Sequence, residues 1–218
     1  MINKNVMNNS LAKLRYHLDI YRSKNSYSNI IPEKKIIFLH NPKCAGNSIY
    51  NALGINTKTS HLYPSYLCTK KVWESFYSFV VVRNPFDRLI SMFSYHTGDK
   101  YKGVYLKKYP ELKNYSLKEY FEIMKENEYV IKPQINYISH KNSKKLVNSI
   151  IHFEDLNEGI NKLFKRLKID FSILPHLNKS KHKNYKKYFK DDDFIKILNN
   201  YYNEDIDFFN YSPLEKNG

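Results

Sequence analysis

Two short stretches of this chain carry residue types that can hold an anion. The first is His40-Asn41-Pro42-Lys43-Cys44-Ala45-Gly46-Asn47-Ser48. Lys43 supplies a point charge, Ala45 and Gly46 let a backbone approach closely, and Ser48 adds a hydroxyl donor. Where such a stretch runs into a helix start, unpaired N–H groups and the positive dipole end suit a phosphate or sulfate. That makes Cys44, Ala45, Gly46, Asn47 and Ser48 candidate ligands beside Lys43. The second stretch is Arg83-Asn84-Pro85-Phe86-Asp87-Arg88-Leu89-Ile90-Ser91, which holds two of the five arginines. Arg83 and Ser91 are placed to meet one phosphate, while Arg88 is placed to support the loop by pairing with a carboxylate. The bland alternatives are a plain strand-to-helix turn for the first stretch, and a strand cap with a solvated helix serine for the second. Read as anion sites, the two imply a ligand with two separated anionic groups.

The order of residues in the first stretch is not that of a nucleoside triphosphatase loop. That motif puts its lysine directly before the hydroxyl residue, whereas Lys43 here precedes Gly46 and Ser48.

The elements that must position these stretches are readable from apolar spacing. Lys35–His40 is a short apolar run expected to form a strand buried on both faces, followed by a helix over Asn47–Leu53 that Gly54 ends. Phe76–Val82 repeats the pattern, and Pro85 opens a helix with Phe86, Leu89, Ile90 and Phe93 on its apolar stripe. Ser116 to Glu119 is a capping box that opens a helix with Leu117, Tyr120, Phe121 and Met124 inward. Ile150–Phe153 is a third strand, leading into a helix with Ile160, Leu163, Phe164 and Leu167 at core spacing. Asp191–Asp193 start a last helix carrying Phe194, Ile197, Leu198 and Tyr201. Alternating strands and helices predict an α/β fold with a mostly parallel sheet, whose ligands bind beyond the carboxyl ends of the strands. Leu11, Leu14, Leu18 and Tyr21 recur at helical spacing before a loop over Ser23–Glu33, so residues 1–34 read as a helical extension and 35–218 as one domain.

Composition narrows the class without naming it. The chain has 218 residues, 42% apolar and 26% charged, which fits a folded domain rather than a disordered chain. With 36 Lys plus Arg against 21 Asp plus Glu, the formal charge is +15, a field that attracts nucleic acid, acidic glycans and phosphorylated cofactors alike. Because most of the cations are Lys in a chain also rich in Asn, Tyr and Ile, the charge carries less weight than the positions of the arginines. The two cysteines, Cys44 and Cys68, lack the spacing of a disulfide framework or zinc site. Neither a signal peptide nor a membrane span is legible, so a cytoplasmic location is expected.

The pair HNPKCAGNS and VVRNPFDRLIS resembles the 5′-phosphosulfate and 3′-phosphate loops of sulfotransferases that use 3′-phosphoadenosine 5′-phosphosulfate (PAPS). The likeness is greatest to the Golgi-type carbohydrate branch, which includes the heparan sulfate 2-O-sulfotransferases. The order of the two motifs and their separation of roughly forty residues match the family pattern. Weaker likeness extends over Ile151–Leu156, Leu177–Ser180 and Asp205–Tyr211. Asn47 stands where the family usually has Thr, and its amide can still donate to an oxyanion.

The resemblance implies a P-loop-like three-layer fold, PAPS as the donor, no metal, and a carbohydrate hydroxyl as the acceptor, with no nucleic-acid partner. It gives Lys43 the role of stabilising charge on the oxygen from which the sulfuryl group departs, a task that positioned donors and a lysine can perform. The acceptor hydroxyl must lose a proton, and histidine is the natural base near neutrality. By resemblance the base is His61, about twenty residues before Arg83. Glu74, His96 and His140 are the alternatives, with His40 a loop support and His152 a strand residue. The resemblance also assigns Asn178, Ser180 and Lys183, in the basic stretch around Lys179–Tyr188, to the 3′-phosphate or to an acidic acceptor. Two rival readings stay open on sequence alone: a polyanion or nucleic-acid binding module, and an atypical ATP phosphotransferase.

Overall fold

In a computed structural model of the chain, which describes residues 29–55, 60–126, 130–169 and 184–215, the apolar runs fold as strands. Ile36–Leu39 (β2) and Tyr77–Val82 (β3) pair in parallel, Phe38 opposite Phe79, and β3 pairs in parallel with Ser149–His152 (β4). All four residues of β2 are buried, as a strand covered on both faces requires. A two-residue strand, Ile30–Ile31 (β1), adds antiparallel to β2, so the order is β1-β2-β3-β4. This strand lies inside the stretch expected to be a loop. Two residues carry no periodicity that could have announced it.

The described residues fall into two compact units. One is built from segments 29–41, 46–82 and 136–169, the other from 42–45, 83–135 and 184–215. The first unit holds the sheet and the helices α1 (Gly46–Ala52), α2 (Pro64–Leu67), α3 (Lys70–Ser75) and α7 (Leu156–Arg166). Tyr50 of α1 meets the edge of Phe38, and Phe164 of α7 meets Phe79, so aromatic contacts seat both helices on the strands. Gly159 lets α7 come close to β4, because a Cβ there would stand 2.5 Å from Ile151 Cγ2. Gly54 ends α1 with φ +71°, a conformation that costs glycine little.

The second unit holds α4 (Pro85–Thr97), α5 (Val104–Lys108), α6 (Leu117–Met124), α8 (Asp192–Tyr201) and α9 (Asn203–Phe209). Asn84 caps α4 by accepting from the Phe86 and Asp87 N–H groups, and Pro85 fits the first turn, which needs no N–H. Ser116 and Glu119 form the expected capping box on α6. Phe86, Leu89, Ile90, Tyr120, Phe121 and Met124 join one buried cluster with residues of α8 and α9. Two details depart from the expected pattern. Ile195 rather than Ile197 faces the core, Ile197 being 42% exposed, and α9 follows α8 as a further helix. Asp191 caps α8 by accepting from the Asp193 and Phe194 N–H groups, and Phe194, Ile195 and Leu198 pack into the buried cluster.

The architecture is mixed α/β, with a four-stranded, mostly parallel sheet flanked by helices, consistent with a P-loop-like fold. Among the described residues no helix is long and apolar enough to cross a membrane.

Candidate functional site

The first loop leaves β2 and turns sharply. Lys43 and Ala45 both take positive φ, 64° and 59°, which side-chain-bearing residues adopt only where the surroundings hold them. Backbone kinked in this way turns successive N–H groups toward a concavity that suits an oxyanion. Asn47 is exposed and Ser48 buried in the first turn of α1.

Lys43, Cys44 and Arg83 come together in the second unit. The Arg83 guanidinium is buried; Nη1 donates to the Lys43 carbonyl at 3.2 Å, and Nε and Nη2 both reach Asp87 Oδ2 at 2.7 Å. Asp87 sits one helical turn beyond Arg83, the spacing at which helix charges meet. Gln134, fully buried, joins the two loops. Its Oε1 accepts from the Arg83 N–H at 3.0 Å and from the Cys44 thiol at 3.7 Å, while its Nε2 donates to the Arg83 carbonyl at 2.7 Å. Asp205 in turn accepts from the Gln134 and Ile135 N–H groups and from the Gln134 amide. Burial raises the Asp205 carboxyl above its ordinary range, against the opposing pull of Arg88 and these donors. Arg88 itself is buried, donates to the Lys132 carbonyl and lowers the Asp205 carboxyl through its charge. Ser91 is buried on α4.

The Lys43 ammonium lies 4.4 Å from the centroid of the Tyr95 ring. Desolvation, and then the Arg83 charge, push its pKa below the ordinary lysine value. The next residue, His96, is buried among Tyr101, Tyr105 and Tyr120, with Nδ1 paired to the Tyr120 hydroxyl at 2.8 Å. Burial, with Lys43 as the lesser cause, lowers its pKa to about 4, so it is neutral at pH 7.

His61 lies in the first unit, half-buried against His40, with ring centroids 4.3 Å apart. Its Nδ1 is 2.9 Å from the His40 carbonyl oxygen. A carbonyl only accepts, so Nδ1 carries the proton and Nε2 of the neutral ring is left as a proton acceptor. Burial lowers the His61 pKa, the hydrogen bond to His40 opposing it. The segment is clamped from two sides: Asn29 donates to the Ser60 carbonyl and accepts from the Ser60 N–H, and the Tyr137 hydroxyl donates to the His61 carbonyl. His40 is buried and its pKa lies well below the histidine norm, through burial first and His61 second. Gly46 serves this histidine: a Cβ at residue 46 would lie 1.8 Å from His40 Nε2. The expected reason for that glycine was backbone approach to a ligand, and the imidazole is the closer cause.

Two of the alternative bases are committed elsewhere. His140 Nε2 bonds the Cys68 carbonyl while Nδ1 accepts from the Asn142 N–H, so both ring nitrogens are engaged. Glu74, exposed on α3, accepts from the Ser143 hydroxyl. His152 ends β4 as expected. Asn178, Ser180 and Lys183, like the 1–28 part of the extension, lie outside the described residues.

Sequence reasoning missed Asn29, Gln134, Asp205 and Tyr95 as parts of these assemblies. Only the Arg83–Asp87 pair had a local signal, its four-residue spacing. The model of the sulfotransferase family matches residues 26–212, and the chain belongs to that family. No curated protein and no solved structure matches the chain.

Proposed function

We propose that this sulfotransferase takes its sulfuryl group from PAPS and delivers it to a hydroxyl of a carbohydrate acceptor. The observation that carries the reading is the Arg83–Lys43 contact, which joins the two motif loops at 3.2 Å. A donor with phosphosulfate and phosphate groups on one nucleotide needs two cationic loops side by side, and the donor set of Lys43, Arg83 and Ser91 fits those anions. When bound, PAPS supplies an activated sulfuryl group. His61 Nε2 would take the proton of the acceptor hydroxyl while the sulfuryl group passes to it from the donor's phosphate oxygen. The Lys43 ammonium stabilises the negative charge left on that oxygen. Arg83 and Ser91 hold the 3′-phosphate, with Asp87 fixing the plane of the guanidinium. Asn178, Ser180 and Lys183 complete the 3′-phosphate contacts in this proposal, and the enzyme works in the cytoplasm.

The test is transfer of labelled sulfate from PAPS to a panel of glycans, alongside calorimetric titration with 3′-phosphoadenosine 5′-phosphate and ADP. Tighter binding of the former and label on a glycan are expected, with transfer lost in Lys43→Ala. Equal affinity for the two nucleotides refutes the donor, and label appearing only on phenols or small metabolites refutes the acceptor class.

A further inference from the structure

We infer that Tyr95 is a positioning residue for Lys43, its ring face holding the ammonium at the loop. The inference rests on the reading of Lys43 as the lysine of sulfuryl transfer. Tyr95 is 53% exposed, yet its ring is oriented: it meets the edge of the buried Tyr101 at 5.2 Å. Tyr101 is itself fixed, because its hydroxyl accepts from the Tyr105 N–H and Gly103 leaves room for it, a Cβ at 103 falling 2.4 Å from that oxygen. The platform under the Lys43 ammonium is therefore built from α4 and the 101–105 turn.

The groups facing Lys43 explain why such a platform is needed. Arg83 repels the ammonium, and Asp87, the nearest acid in the motif, is bound to Arg83. Cys44 is a buried thiol and His96 is neutral at pH 7. Among the described residues no carboxylate forms an ion pair with Lys43. The negative face of an aromatic ring attracts an ammonium, and more strongly where water is scarce. Tyr95 thus favours the charged form of Lys43 against burial and Arg83, and restricts a long side chain to one place.

The test separates this inference from the reading beneath it. Protein carrying ¹³Cε/¹⁵Nζ-labelled lysine is titrated by NMR without donor, Lys43 being assigned with Lys43→Arg, in wild type, Tyr95→Phe and Tyr95→Leu. Tyr95→Leu should lower the Lys43 midpoint by about 0.4–0.7 pH unit, and Tyr95→Phe, which keeps the ring, should restore it. In turnover from PAPS, Tyr95→Leu should lose about two- to fivefold in kcat with little change in KM, with rescue by Tyr95→Phe. Thermal melts confirm that each variant folds, as an exposed helix position allows. A Lys43 midpoint unchanged in Tyr95→Leu, or a Tyr95→Phe protein that behaves like the leucine variant, overturns the inference. A wild-type enzyme that moves no sulfate from PAPS refutes the donor reading alone, and the NMR titration still decides the pairing.

Discussion

The His40 imidazole occupies the space in which residue 46 would carry a side chain, a Cβ there falling 1.8 Å from Nε2. His40 is buried against Phe38, Tyr50 and His61, so the ring has nowhere to retreat. Gly46→Ala should destabilise the protein by about 1–3 kcal/mol, as overpacking of a filled core does. Combining it with His40→Ala should recover part of the loss. Urea unfolding of the two single variants and the double variant measures the coupling, and simple additivity rejects the account.

In the role proposed for it, His61 must be neutral to accept a proton, and burial lowers its pKa below the ordinary 6.5. The acid limb of kcat/KM should therefore fall below that value, leaving the enzyme active in mildly acidic solution. His61→Ala should cost about 10²–10⁴ in kcat. A pH–rate profile with its acid limb at or above 6.5, or one that survives in His61→Ala, removes His61 from the role.

Stability should also depend on acid. His40, His61 and His96 all have folded pKa values below the unfolded 6.5, so the unfolded chain binds the extra protons. Their contribution is intact above pH 6.5 and is lost as pH falls toward about 4, the value for His96. Each histidine adds a slope of up to about 1.4 kcal/mol per pH unit within its own window. Asp205, raised by burial, acts with the opposite sign at the acid end. Urea midpoints at pH 7, 6, 5 and 4 measure the slope, which His96→Gln should reduce; a flat profile contradicts it.

Gln134 makes four hydrogen bonds to Arg83, Cys44 and Asp205 through one amide. Gln134→Leu keeps the apolar bulk but leaves the Arg83 N–H and carbonyl without that partner. A loss of about 2–4 kcal/mol is expected, since each buried unsatisfied group costs on the order of 1–3 kcal/mol. Binding of 3′-phosphoadenosine 5′-phosphate should weaken with it, because Arg83 is no longer held. Native-like affinity in a destabilised Gln134→Leu protein would separate the two roles and count against the bridge.

What the sequence disclosed follows from the range of the interactions involved. The apolar run before Asn41 and the stripe after Pro85 are local patterns, so β2 and β3 were legible within a residue at their ends, and α4 in its start and apolar face. The motif loops were legible because lysine, arginine and glycine occur there in a chemically specific order. Asn29, Gln134 and Asp205 had no such signal. They act across 31, 51 and 71 residues, and nothing near them in the chain marks their partners. The crowding of Gly46 by the His40 ring was equally unreadable, because it depends on how the loop folds back and not on the order of residues along it. Ile195 rather than Ile197 turns inward because the buried face of α8 is set by its packing in the common core cluster, which lies outside the local sequence.

Asn29 grips Ser60 from just ahead of the antiparallel edge strand, and also donates to the Phe38 carbonyl. The residue that clamps the His61 segment thus stands ahead of both motif loops in the chain. A fragment that began after residue 29 would lose both of the hydrogen bonds by which Asn29 holds Ser60, the residue next to His61.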